Sequence, residues 1–133
     1  MIIGTGLDIV NINRIEKIIQ QYNDKFIKRI YTIREIEKSK TLNYKSKINY
    51  FAKRFAAKEA FSKACGVGIG RGFNFNEIEI INNNIGKPLI SINQKIIDFI
   101  RENYHCNKFQ IHLTLTDERD LSIANVIIEK VTI

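Results

Sequence analysis

Two carboxylates and a lysine are the residues best equipped for chemistry in this sequence. Glu59 and Lys63 stand four apart in Lys53-Arg54-Phe55-Ala56-Ala57-Lys58-Glu59-Ala60-Phe61-Ser62-Lys63. On a helix that spacing makes them neighbours on one face, and a solvated ion pair is one reading. Phe55 favours another. It precedes Glu59 by four residues on the same face, and a charge on a partly buried face needs a partner. Asp8 poses the same question, because it lies between Leu7 and Ile9 in an otherwise apolar run. A carboxylate in that setting caps a helix, meets a base or binds a metal. If the strand end lies beside the helix, Asp8 and Glu59 together suit a hard divalent cation. Two carboxylates completed by waters and phosphate oxygens match Mg²⁺, which seldom receives an all-protein cage. Lys63 and Arg54 then become positive groups for the same phosphates.

Other candidates carry less. The loop Gly66-Val67-Gly68-Ile69-Gly70-Arg71-Gly72 exposes backbone N–H groups that suit a phosphate, but it serves equally as a helix stop. It lacks the Lys-Ser/Thr ending of a P-loop and the strand-before-helix order of a dinucleotide fingerprint. With His105 and His112 the only histidines, a zinc site has little to build on. Cys65 and Cys106 are too few for a disulfide scaffold and read as free thiols in a reducing compartment.

The elements that must position these residues follow from hydrophobic periodicity. Residues 2–10 read as a buried strand with Gly4 and Gly6 inside, a sign of a close backbone approach or a bulge. Asn11 or Asn13 can cap a helix that begins there, with Ile12, Ile15, Ile18 and Ile19 at helical spacing. The helical pattern continues to about residue 38, and Thr32-Ile33-Arg34-Glu35 has capping-box spacing for a new short helix. Polar residues 39–47 form a connection, and a long helix runs from about 46 to 65. Strands are expected over 75–81 and 89–92, on either side of a turn at 82–88. A helix follows over 93–104, then strands over 108–116 and 121–131 joined by a hairpin turn at 117–120. The expected architecture is α+β: one domain over 1–133, with an antiparallel sheet packed against one dominant helix.

Composition sets outer bounds. The 133 residues carry 21 Lys+Arg against 14 Asp+Glu, a formal +7, with 44% hydrophobic residues. That hydrophobicity excludes a disordered chain, and no run approaches the ~18 apolar residues of a membrane span. The N-terminus makes a poor signal peptide. The charge is uneven: residues 1–65 hold 14 Lys+Arg and 6 Asp+Glu, a net of +8, whereas residues 66–133 hold 7 and 8, a net of −1. Arg14, Lys17, Lys25, Lys28 and Arg29, with Phe26 among them, fit a patch that grips an acidic partner. RNA and an acidic protein both satisfy it. The 27 Ile, 14 Asn and 14 Lys all have A/T-rich codons, so base composition is a second source of lysine.

Several segments together resemble a known family. They are Gly6-Leu7-Asp8-Ile9-Val10, Arg14-Ile15, and Arg54 through Gly66, with Gly68-Ile69-Gly70, Phe73, Gly86-Lys87-Pro88 and His112 through Arg119. The chain is similar to the short holo-[acyl-carrier-protein] synthases among the 4′-phosphopantetheinyl transferases, over essentially its whole length. The pairing of G-x-D with K-E-A-x-x-K-A is the specific part. The resemblance implies Mg²⁺-dependent transfer of the phosphopantetheine arm of coenzyme A to a serine of acyl carrier protein, releasing adenosine 3′,5′-bisphosphate, in fatty acid biosynthesis. It implies Asp8 and Glu59 as metal ligands and Asp8, Glu59 and Lys63 as catalytic residues. Arg54, Lys63, Gly86, Lys87, Pro88 and His112 become coenzyme A contacts. Arg14, Lys17, Lys25, Phe26, Lys28 and Arg29 become the docking surface for the carrier. It also implies a cytoplasmic homotrimer with active sites between subunits, and neither nucleic acid nor membrane as a partner. Asp117 stands where some relatives have a histidine considered as a base, so Asp117, Glu59 and a metal-bound hydroxide remain open for that role. Cys65 replaces a common aromatic, with a packing change expected.

Overall fold

The computed structural model describes residues 1–68 and 72–132. Two glycines set its central packing. β1 (Ile2–Asn11) lies against α4 (Tyr44–Ala64), the long helix. A Cβ at Gly4 would overlap the Ala64 carbonyl oxygen, and one at Gly6 would overlap that of Ala60 and sit 2.7 Å from the Ala64 nitrogen. The strand advances two residues while the helix retreats four. These steps nearly match, at about 6.6 Å and about 6 Å respectively. The close approach anticipated from the two glycines is therefore real, and it carries the next residue on that face, Asp8, to the helix around Glu59.

Asn11 ends β1 and caps α1 (Ile12–Tyr22), its side chain accepting from the Arg14 N–H at 3.2 Å. Asp8 is thereby released from any capping role. The expected run of helix to residue 38 is instead three helices: α1, α2 (Asp24–Ile30) and α3 (Ile33–Ser39). Asn23 breaks the first junction at φ 47° and ψ −127°. The capping box at Thr32 and Glu35 is present at the second. After α4, Phe75–Glu77 form a 3₁₀ turn where strand was expected, and β2 (Ile78–Asn82) pairs antiparallel with β3 (Pro88–Ile92). α5 (Gln94–Tyr104) is capped by Asn93. β4 (Phe109–Glu118) runs two residues further than its alternation suggested, which leaves Arg119 and Asp120 as the turn into β5 (Leu121–Lys130).

The described residues form two antiparallel sheets rather than one: β1-β5-β4 and β2-β3. α4 packs on the first through β1, β5 and β4, and meets α1, α3 and β2 on its other sides. Enclosure on nearly all sides explains why Phe51, Ala52, Ala56, Ala57, Ala60 and Phe61 are all fully buried. Its sheet partners contribute Leu113, Ala124, Val126 and Ile128. The opposite sheet face is a correction to the sequence reading. Leu7 and Ile9, expected to be buried, are 56% and 58% exposed, and Ile2 is also exposed. Among the described residues, no helix is long and apolar enough to cross a membrane.

Candidate active site

The β1–α4 contact brings three of the four chemistry-bearing residues into one cleft. It has a volume of about 280 Å³ and is lined by Asp8, Asn11, Arg14, Phe55, Glu59 and Lys63, with Ile9, Val10, Ile15 and Ile18. The anticipated i,i+4 pair between Glu59 and Lys63 does not form. Lys63 Nζ instead crosses to β1 and donates to Asp8 Oδ1 at 3.1 Å and to the Leu7 carbonyl at 3.0 Å. Glu59 keeps its carboxylate without that cation. Burial pushes the Glu59 carboxyl above the usual range; the Asp8 charge pushes it further, and Lys63 opposes both. A carboxylate whose proton affinity is raised by burial and by a neighbouring carboxylate is a site a cation would relieve.

Among the described residues, no group of three or more His, Cys, Asp or Glu side chains could hold a metal ion. A two-carboxylate arrangement still fits Mg²⁺, which completes its octahedron with water and substrate oxygens.

Arg54 lies elsewhere. It precedes Glu59 by five residues, which turns it about 140° around the helix and about 7.5 Å along it. Its guanidinium stacks on Tyr50, 3.6 Å from the ring centroid, and Nη2 donates to Asn82 Oδ1 at 2.8 Å. The residue is only 7% exposed, and its Nε has no hydrogen-bond partner among the described residues. It lines a second cavity of about 280 Å³ with Arg34, Lys38, Tyr50 and Asn82. Asn82 Nδ2 donates to the Gly86 carbonyl at 2.9 Å, so the Gly86-Lys87-Pro88 turn is tied to Arg54 and not to the Asp8 cleft. Gly86 takes φ 86°, which glycine accepts at no cost.

The remaining predicted residues are placed as follows. Arg14 and Lys17 are exposed on α1, and Lys25, Lys28 and Arg29 on α2. Phe26 is half-buried, its ring 6.3 Å from that of Phe55, so α2 packs against one wall of the Asp8 cleft. His112 lies on the outer sheet face, with Nε2 2.9 Å from Glu129 Oε2. Asp117 is held by Lys53 at 3.3 Å and does not line the cleft. The Gly68-Ile69-Gly70 part of the glycine loop falls largely on residues 69–71, outside the described residues.

The sequence reading missed Lys58. It is fully buried and donates to Glu35 Oε1 at 2.6 Å and to the carbonyls of Ile30, Phe75 and Ile78. Glu35 also accepts from the N–H groups of Thr32 and Ile80, both at 2.9 Å. One ion pair thus gathers α2, α3, α4 and β2. The available signal was local: Lys58 stands in a stretch rich in alanine and phenylalanine.

Comparison with known proteins gives the family. Residues 4–125 match the family model of the 4′-phosphopantetheinyl transferase superfamily. A holo-[acyl-carrier-protein] synthase from Wigglesworthia glossinidia brevipalpis is 47% identical over 131 residues, covering 96% of this chain and 92% of that protein. The crystal structure of such a synthase from Neisseria meningitidis superposes with a TM-score of 0.86 at 35% identity, covering 98% of this chain and 100% of that one. Another from Bacillus anthracis str. Ames, in complex with CoA (3′,5′-ADP), gives 0.81 at 36% identity over 98% and 99% of the two chains. The chain therefore belongs to the 4′-phosphopantetheinyl transferase superfamily and is an enzyme of its holo-[acyl-carrier-protein] synthase class.

Proposed function

We propose that this enzyme transfers 4′-phosphopantetheine from coenzyme A to a serine hydroxyl of an acidic acyl carrier protein, in an Mg²⁺-dependent reaction that supplies fatty acid synthesis in the cytoplasm. The observation that carries this reading is the juxtaposition of Asp8, Glu59 and Lys63 at the end of a basic surface. The serine oxygen forms a bond to the phosphopantetheine phosphorus. The pyrophosphate bond breaks, and adenosine 3′,5′-bisphosphate leaves with the electron pair. The serine proton passes to a base. Glu59 lines the cleft and is better placed for that role than Asp117, which is engaged by Lys53.

Asp8 and Glu59 would hold Mg²⁺, which when bound supplies positive charge to the pyrophosphate oxygens. Lys63, oriented by Asp8 and the Leu7 carbonyl, adds a preorganised cation for developing negative charge. Arg14, Lys17, Lys25, Lys28 and Arg29 attract the acidic carrier, and Phe26 offers it an apolar contact beside the cleft. Arg54, with Gly86, Lys87 and Pro88, would receive the nucleotide end of coenzyme A.

Those two clusters lie on different sides of α4. A homotrimer with sites shared between subunits reconciles them, because one copy's nucleotide site can then meet another's cleft. The outer sheet face supports such assembly: Leu7 and Ile9 are exposed there, Ile123 and Ile127 are partly so, and His112 shares the face.

The deciding experiment is intact-mass measurement of apo acyl carrier protein after incubation with enzyme, coenzyme A and Mg²⁺. The mass of one phosphopantetheine is expected to be added, with no addition when Mg²⁺ is chelated. An unchanged carrier mass in the complete mixture would sink the reading.

A further inference from the structure

Asn82 lies at the end of β2 between two groups of opposite hydrogen-bonding character. Arg54 Nη2 donates to its Oδ1 at 2.8 Å, and its Nδ2 donates to the Gly86 carbonyl at 2.9 Å. A guanidinium can only donate and a backbone carbonyl can only accept. The side chain between them must therefore accept on one branch and donate on the other, which a carboxamide does. A carboxylate would satisfy Arg54 but set an anionic oxygen against the Gly86 carbonyl. An aliphatic side chain would satisfy neither.

The bridge acts on two parts that otherwise have separate supports. Arg54 is placed from one side by the Tyr50 ring, and its buried Nε has no partner among the described residues. The turn is held internally by Asn83, whose backbone and side chain bond the Gly86 and Lys87 backbone. Among the described residues, Asn82 is the side chain bonded to both the guanidinium and the turn. The cavity beside it is further lined by Arg34 and Lys38, and by Glu35 and Glu79, whose carboxylates are paired with Lys58 and Arg34. Arg34 pairs with Glu79 at 3.3 Å and its side chain is exposed, whereas Arg54 is buried, the more enclosed of the two arginines facing the cavity.

We infer that Asn82 is a positioning residue for nucleotide recognition: it fixes the guanidinium of Arg54 and the Gly86-Lys87-Pro88 turn as one preformed anion-binding constellation. This inference rests on the reading that Arg54 and the turn receive the nucleotide end of coenzyme A. Asn82 acts through these groups and needs no contact of its own with the reacting atoms.

The test is calorimetric titration of coenzyme A into purified enzyme, with steady-state kinetics alongside. Asn82→Leu, which removes both bonds, is expected to weaken coenzyme A binding about tenfold or more. The KM for coenzyme A should rise, while the KM for carrier protein stays near that of the parent. Asn82→Asp keeps the acceptor for Arg54 and loses the donor to Gly86. It is expected to weaken binding as well, and it supplies the result should the leucine variant fail to fold. A positioning role is separated from simple loss of stability by a double-mutant cycle with Arg54→Ala. Once Arg54 is absent, Asn82→Leu should cost much less than it does in the parent; additive losses would overturn the inference. So would parent-like coenzyme A affinity in both Asn82 variants of an enzyme whose parent transfers phosphopantetheine. If the parent itself shows no transfer, the underlying reading fails first, a different result.

Discussion

At the residue scale, Glu59 and Lys63 show how spacing and partner choice diverge. Four residues apart, they share a helix face, yet Lys63 is satisfied by Asp8 and the Leu7 carbonyl on a strand more than fifty positions away in sequence. The i,i+4 attraction on an exposed helix is worth only about 0.3–0.5 kcal/mol, so a better-placed carboxylate readily displaces it. Glu59 is left as the cleft carboxylate with the raised proton affinity. Replacing it with glutamine keeps the shape and removes the charge. Glu59→Gln is expected to lower transfer by about 100-fold or more with circular dichroism unchanged. Parent-like Mg²⁺-dependent turnover would refute its role.

At the element scale, the β1–α4 contact is where sequence and structure agree most usefully. Gly4 and Gly6 announced a close approach, and the helix they approach is the one that carries Glu59 and Lys63. Gly6→Ala is expected to cost about 1–3 kcal/mol by forcing strand and helix apart. It should also lower turnover, because Asp8 is the next residue on that face. A variant with lower melting temperature but unchanged specific activity would show that the contact stabilises without positioning. Helix caps at Asn11 and Thr32 were legible because their signals lie within four residues. The outward face of β1 was not. A strand with Leu7 and Ile9 on one face and Val10 on the other reads as buried on both, and the sheet cannot cover both by itself. The Arg54–Asn82 bond was equally hidden, since nothing local links a helix arginine to a strand end 28 residues later.

At the scale of the whole molecule, the early excess of positive charge divides by location. Arg14 lines the cleft and the α2 cations are exposed on the neighbouring helix, whereas Arg54 is buried on another side of α4. Arg14→Glu should raise the KM for carrier protein more than that for coenzyme A, with carrier association losing part of its salt dependence. Equal effects on both substrates would argue against a docking surface. The buried Lys58–Glu35 pair works at this scale as well, because it joins three helices to the second sheet. Lys58→Met strands the Glu35 carboxylate in the interior and is expected to cost about 3–5 kcal/mol, read as a lower midpoint in denaturant titration. A parent-like midpoint would contradict the account of this pair.

Lys58 and Glu59 are adjacent in the chain, and one holds the molecule together while the other faces the cleft. In a growth-based screen both positions would score as intolerant, for unrelated reasons. Substitution at Lys58 depletes the folded enzyme in the cell, since a few kcal/mol changes steady-state abundance several-fold. Substitution at Glu59 leaves a full complement of inert enzyme. Immunoblots of the two variants beside their growth phenotypes separate a shortage of protein from a shortage of turnover, within a motif that a sequence scan treats as one unit.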